Sequence, residues 1–142
     1  EVLPLTGGRS ASAVLRERLT AGVIVPLVAD RDLSASGIPV QFFGDTAKVP
    51  AGPAMLAALT DSYLCPTNLS FTGGAGATDG WSIHIHPPMT LPGTRLSEQV
   101  RGGAQEIVQH FEQGIGEHPA DWHMLQPLWL ADLAARRPGA AS

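Results

Sequence analysis

Residues 23–32 read Val-Ile-Val-Pro-Leu-Val-Ala-Asp-Arg-Asp, an unbroken apolar run, Val23–Ala29, that ends abruptly in charge. A run with no polar alternation is what a strand buried on both faces looks like. Just before it, Ser10 is placed to cap a helix on which Val14, Leu15, Arg18 and Leu19 share a mostly apolar stripe, and Gly22 is placed to stop that helix. Earlier still, Glu1–Leu5 (EVLPL) reads as a short strand ending at Gly7-Gly8. Strand, helix, buried strand is a βαβ pattern. It predicts an α/β fold: a mostly parallel twisted sheet flanked by helices.

Beyond Asp32 the pattern changes. Ile38–Phe43 reads as another strand or an extended arm, and Pro50, Gly52 and Pro53 open a short helix over Ala54–Thr60. Asn68–Thr72 and Trp81–His86 read as two strands, joined through the Gly73–Gly80 stretch as a hairpin tip. That stretch is no phosphate-binding loop, because no Gly-Lys-Ser/Thr follows it. A longer helix is expected from a Ser97 cap, with Val100, Ala104, Ile107, Val108, Phe111 and Ile115 at helical spacing and Gly102-Gly103 weakening it locally.

Composition narrows the function classes. The 142 residues are 44% hydrophobic and 15% charged, enough apolar material for one folded domain with a core. The formal net charge is −4, so no positive field favours nucleic acid. A single cysteine, Cys65, allows no internal disulfide framework and fits a reducing compartment; it reads as a buried, inert thiol. Val23–Ala29 is too short to span a bilayer, and no signal-peptide core stands at the start. Glu1 is not a Met, and a strand at the first residue is expected only if the chain begins inside a larger fold.

Asp30-Arg31-Asp32 is the sharpest chemical feature. It follows a strand-like run at the end where open α/β sheets bind ligands. An Asp there could orient a catalytic His, and the Arg could clamp a phosphate. A solvated turn with an Arg–Asp ion pair is the plainer alternative. His84 and His86 alternate on a strand and so face one side, which a metal pair would need. No Cys or carboxylate accompanies them at ligand spacing, so zinc is disfavoured and no metal site is expected. His118 and His123 flank Pro119 and Trp122 and suit either ligand contact or packing. The cluster Trp122, Met124, Leu125, Leu128, Trp129 and Leu130 reads equally as an acyl or membrane surface and as a core-closing segment.

Four blocks in order carry a resemblance: LVADRDL (Leu27–Leu33), VQFFG (Val40–Gly44), VPAGPAMLA (Val49–Ala57) and HPADWHMLQPLW (His118–Trp129). Together they resemble the C-terminal half of the bacterial lipid A (lauroyl) and lysophospholipid acyltransferases. The GGRS and DRDLS stretches and the fourth block are most like the actinobacterial branch of that family. The resemblance implies that residues 1–133 are the C-terminal half of a single acyltransferase domain, and the Ala-, Arg-, Pro- and Gly-rich composition of 134–142 reads as a disordered tail. The resemblance also implies transfer of a fatty acyl group, typically palmitoyl, from acyl-CoA as donor substrate to a sugar hydroxyl of a phosphatidylinositol mannoside or related glycolipid. No cofactor is implied. The implied site is the cytoplasmic face of the cell membrane, with the protein peripheral on an anionic surface.

The family's general base is a His in a His-x-x-x-x-Asp/Glu motif, and none of His84, His86, His110, His118 or His123 starts one. The base is therefore expected upstream, in the N-terminal half of the same enzyme, and these residues alone are expected to be inactive. By its place in the pattern, Asp30 would orient the missing His with support from Asp32. Arg31, Phe42, Phe43, Pro53, Met55, His118 and Trp122 would contact substrate. Two competing readings are a non-catalytic lipid-binding or membrane-docking module of the same fold, and an unrelated metal-dependent hydrolase built on His84, His86 and Asp30.

Overall fold

The computed structural model describes residues 10–32, 36–73 and 79–135. The expected Glu1–Leu5 strand, most of the Gly73–Gly80 tip and residues 136–142 of the tail lie outside them. Helix α1 (Ala11–Thr20) is followed by the hairpin β1 (Ile38–Phe42) and β2 (Asp45–Val49), then α2 (Gly52–Thr60). A second hairpin, β3 (Thr67–Thr72) and β4 (Gly80–Ile85), leads into the long α3 (Leu96–Glu117), a 3-10 turn (Pro119–Asp121) and α4 (Leu130–Ala135).

The mostly parallel sheet is not formed among the described residues. Among the described residues each strand pairs only with its hairpin neighbour, and both pairs are antiparallel. The element missing from the sequence reading was β2. Phe43 and Gly44 both take left-handed backbone angles, φ 51° and 84°, forming the tight two-residue turn whose twist matches paired strands. The arm that read as extended is therefore the first half of a hairpin.

Val23–Ala29 also departs from expectation. It carries no strand ladder, and Ile24 and Val28 are 91% and 90% exposed. Apolar composition specifies what a strand would bury, not which partner buries it. The end of α1 follows expectation, since the N–H groups of Gly22 and Val23 donate to the carbonyls of Leu19 and Arg18. At its start the Ser10 hydroxyl does not cap; it pairs with the Ser12 hydroxyl at 2.7 Å.

The core lies where the β1–β2 hairpin meets α3. Val40, Phe42, Ala47 and Val49 share the inner face by strand alternation and pack on Ala104 and Val108, with Leu128 closing the cluster. Phe42 is completely buried. The C-terminal block seals the hairpin: the Trp129 indole N–H donates to the Phe42 carbonyl at 2.9 Å, and Trp129 bridges to Ala47. The long helix begins at Leu96, with Arg95 rather than Ser97 in the capping position and Glu98 accepting from the Arg95 backbone N–H. Gly102-Gly103 do not interrupt it, because close packing against Pro92, Leu91 and Ala54 replaces what propensity lacks.

Candidate active-site cleft

A cleft of about 270 Å³ opens between the 27–30 segment, the start of β3 and the C-terminal end of α3 with the 3-10 turn. Its polar wall is Asp30, Thr67, Asn68, His118 and Asp121, and its apolar wall includes Leu27, Phe111, Ile115 and Trp122. Three residues singled out in the sequence, Asp30, His118 and Trp122, thus meet at one place.

Asp30 sits in the bend after the apolar run, and its Oδ2 accepts from the Trp122 indole N–H at 3.2 Å. Trp122 is itself fixed by aromatic packing. Its ring lies 5.7 Å from Phe42 and 6.1 Å from Phe43, centroid to centroid, and those two rings stack at 5.1 Å. The Phe43 N–H donates to Glu112 of α3, which holds the strained turn against the helix. Phe42 therefore supports the site from the core, whereas Phe43 is 44% exposed beside it.

Arg31 does not pair with Asp30 in a closed turn; its Nη1 donates to Gln126 Oε1 at 3.1 Å, tying the bend to the C-terminal block. Asp32 is not among the residues lining the cleft. Its Oδ2 accepts from Gly37 N–H at 2.9 Å, and its own N–H donates to the Lys48 carbonyl at 3.1 Å. Pro53 is buried and Met55 half-buried on α2, outside the residues lining the cleft. His118 ends α3, and its N–H donates to the Gly114 carbonyl.

Sequence reasoning passed over Asn68 and Asp121. Asp121 Oδ2 accepts from the Phe71 N–H at 2.8 Å, clamping β3 to the 3-10 turn. It lies inside the quoted HPADW block, so the signal was present. Asn68 had none: its amide donates to the His110 carbonyl at 3.0 Å and lies 2.9 Å from His86 Nε2. An amide nitrogen only donates, so the Nε2 of a neutral His86 must accept there. His86 is buried between His84 and His110, whose rings lie 4.5 and 4.4 Å away. Burial first, then the two neighbouring imidazoles, hold its pKa below the ordinary 6.5, with Glu117 pulling weakly the other way. Cys65 is half-buried rather than buried. Among the described residues no group of three or more His, Cys, Asp or Glu is arranged to hold a metal ion, and no helix is long and apolar enough to cross a membrane.

Comparison with known proteins places this small α/β frame among relatives. The chain is 44% identical over 138 residues to the phosphatidylinositol mannoside acyltransferase of Mycobacterium tuberculosis strain H37Rv, covering 96% of the chain and 41% of that protein. It is equally similar, at 44% over 138 residues, to the phosphatidylinositol mannoside acyltransferase of Mycolicibacterium smegmatis, covering 42% of it. The chain thus spans about two fifths of the length of the curated relatives it matches. The family model described as bacterial lipid A biosynthesis acyltransferase matches residues 3–131, and with nearly the whole chain inside that match, the chain belongs to that family.

Proposed function

We propose that these residues are the C-terminal half of an acyltransferase that moves a fatty acyl group, typically palmitoyl in this family, from acyl-CoA to a sugar hydroxyl of a phosphatidylinositol mannoside. The reaction would take place peripherally at the cytoplasmic face of the membrane, on an anionic surface. The observation that carries the reading is the Asp30 carboxylate on the wall of an otherwise largely apolar cleft, fixed by the Trp122 indole. The identity to phosphatidylinositol mannoside acyltransferases supports the substrate class.

In this reading a His in the N-terminal half removes the acceptor hydroxyl proton as the oxygen attacks the thioester carbonyl carbon. The tetrahedral intermediate then collapses, the C–S bond breaks, and the proton passes from the imidazolium to the departing CoA thiolate. Asp30 orients the imidazole and stabilises its charged form, the part an acid plays beside any catalytic His. In this reading His118 and Asp121 of the cleft wall would hydrogen-bond sugar hydroxyls, and Trp122, with Phe43 packed beside it, would offer apolar surface to the acyl chain. Asp30→Asn in the full-length protein should lower kcat by about 100-fold or more, with a far smaller change in acceptor KM. Turnover equal to the unsubstituted enzyme would remove Asp30 from the mechanism.

A further inference from the structure

The β3–β4 hairpin is built inside out. Leu69, Phe71, Trp81, Ile83 and Ile85 share one face by strand alternation and register. That face points outward, with each of the five between 51% and 65% exposed. The opposite face, with Asn68, Ser70 and His86, is the one packed inward, and both Ser70 and His86 are buried. Phe71 and Trp81 already stack at 4.1 Å, so the patch is continuous across both strands. A contiguous apolar face of this kind marks a surface that is covered in the working protein. Among the described residues no further strand pairs with either outer edge, although the Phe71 N–H on the β3 edge is taken by Asp121.

We infer that this face is the docking surface for the remaining part of the same polypeptide in its full-length form. Two observations select that occupant. First, the matched relatives are more than twice as long as the matched region, so most of such a protein lies outside these residues. Secondly, the patch lacks the charge an anionic bilayer would demand. No Lys or Arg occurs anywhere from Val49 to Thr94, and the nearest charges along the chain are Asp61 and Asp79. The docking has a consequence for the cleft, because Thr67, Asn68 and Leu69 of β3 form part of its wall. The rest of the protein would set the position of that wall by gripping the hairpin from outside.

The test is thiol labelling of the full-length protein in a background otherwise free of cysteine, Cys65→Ser included. Ile83→Cys should react with a soluble maleimide at least about tenfold more slowly than Gln109→Cys on the exposed side of α3, at nanomolar protein and without lipid. Hydroxyl-radical footprinting of the unsubstituted full-length protein provides a second readout, with Trp81 expected among the protected tryptophans. Equal labelling rates together with an oxidised Trp81 overturn the inference. Protection that appears only with anionic vesicles would assign the face to the membrane, and protection lost on dilution would assign it to a second copy. Either result overturns it as well.

Discussion

The indole N–H of Trp122 meets the carboxylate of Asp30 at 3.2 Å, although the two residues stand 92 positions apart. The bond joins the acidic bend after the apolar run to the HPADW block, so two of the stretches that carried the family resemblance prove to be one site. Trp122→Phe keeps an aromatic ring against Phe42 and Phe43 and deletes only the donor. Hydrogen bonds to charged groups contribute about 1.5–3 kcal/mol, so kcat of the full-length enzyme should fall about tenfold or more. Acceptor KM should move much less, and far-UV circular dichroism should be unchanged. A variant with native kcat would show that the indole does not position Asp30.

Phe42 and Phe43 are adjacent, stacked and energetically unlike. Phe42→Ala empties a fully buried site and should cost about 3–5 kcal/mol in urea unfolding. Phe43 holds φ at 51°, a conformation that disfavours a bulky side chain and suits Asn before Gly. Phe43→Asn relieves that strain, about 1–2 kcal/mol, and loses the ring contacts with Phe42 and Trp122, together about 1–2 kcal/mol of opposite sign. Stability should therefore change by less than about 1 kcal/mol while turnover falls. A strained residue retained beside a cleft is the pattern expected when the strain serves the site.

The glycines at the end of α3 make a matched pair. A Cβ on Gly114 would lie 2.2 Å from Asn68 Cγ, whereas one on Gly116 would meet nothing within 4 Å. Gly114→Ala should destabilise by about 1–3 kcal/mol by overpacking, and should detach the Asn68 bridge. Gly116→Ala should stabilise by a few tenths of a kcal/mol, up to about 1, through helix propensity alone. Urea midpoints that shift in the same direction for both would contradict the close approach of β3 to α3.

His86 makes the hairpin acid-sensitive. Its folded pKa lies below the unfolded value of about 6.5, so above that pH both states are neutral and its contribution is complete. As pH falls through 6.5 the unfolded chain takes up a proton that the folded chain refuses. Stability then declines until the lowered folded pKa is reached. Flipping the Asn68 amide offers no escape, since its oxygen would then oppose the His110 carbonyl. Unfolding midpoints measured from pH 7.5 down to 5 should slope less steeply for His86→Gln than for the unsubstituted protein; parallel slopes would contradict this.

What could be read in advance follows the range of the interactions involved. The α3 stripe, the Pro-opened α2 and the hairpin through Gly73–Gly80 depend on local period and turn chemistry, and these were legible. The sheet was not, because one apolar run fits any partner and the decisive turn at Phe43-Gly44 lacks the usual Asn or Asp before Gly. Of the site, Asp30, His118 and Trp122 came from motif position. Asn68 could not, since its role exists only where Gly114 lets two distant segments touch.

The bond across the cleft wall, Asp30 to Trp122, spans 92 residues, and the bonds that tie the C-terminal block down around it span 95 for Arg31 to Gln126 and 87 for Phe42 to Trp129. No single local segment builds the cleft. Closing such loops costs entropy that is recovered only when the last block docks, so the cleft assembles late in folding and opens early in unfolding. Removing residues after Pro119 would therefore erase the site around an intact Asp30, and a probe at Trp122 would report when the C-terminal block has docked.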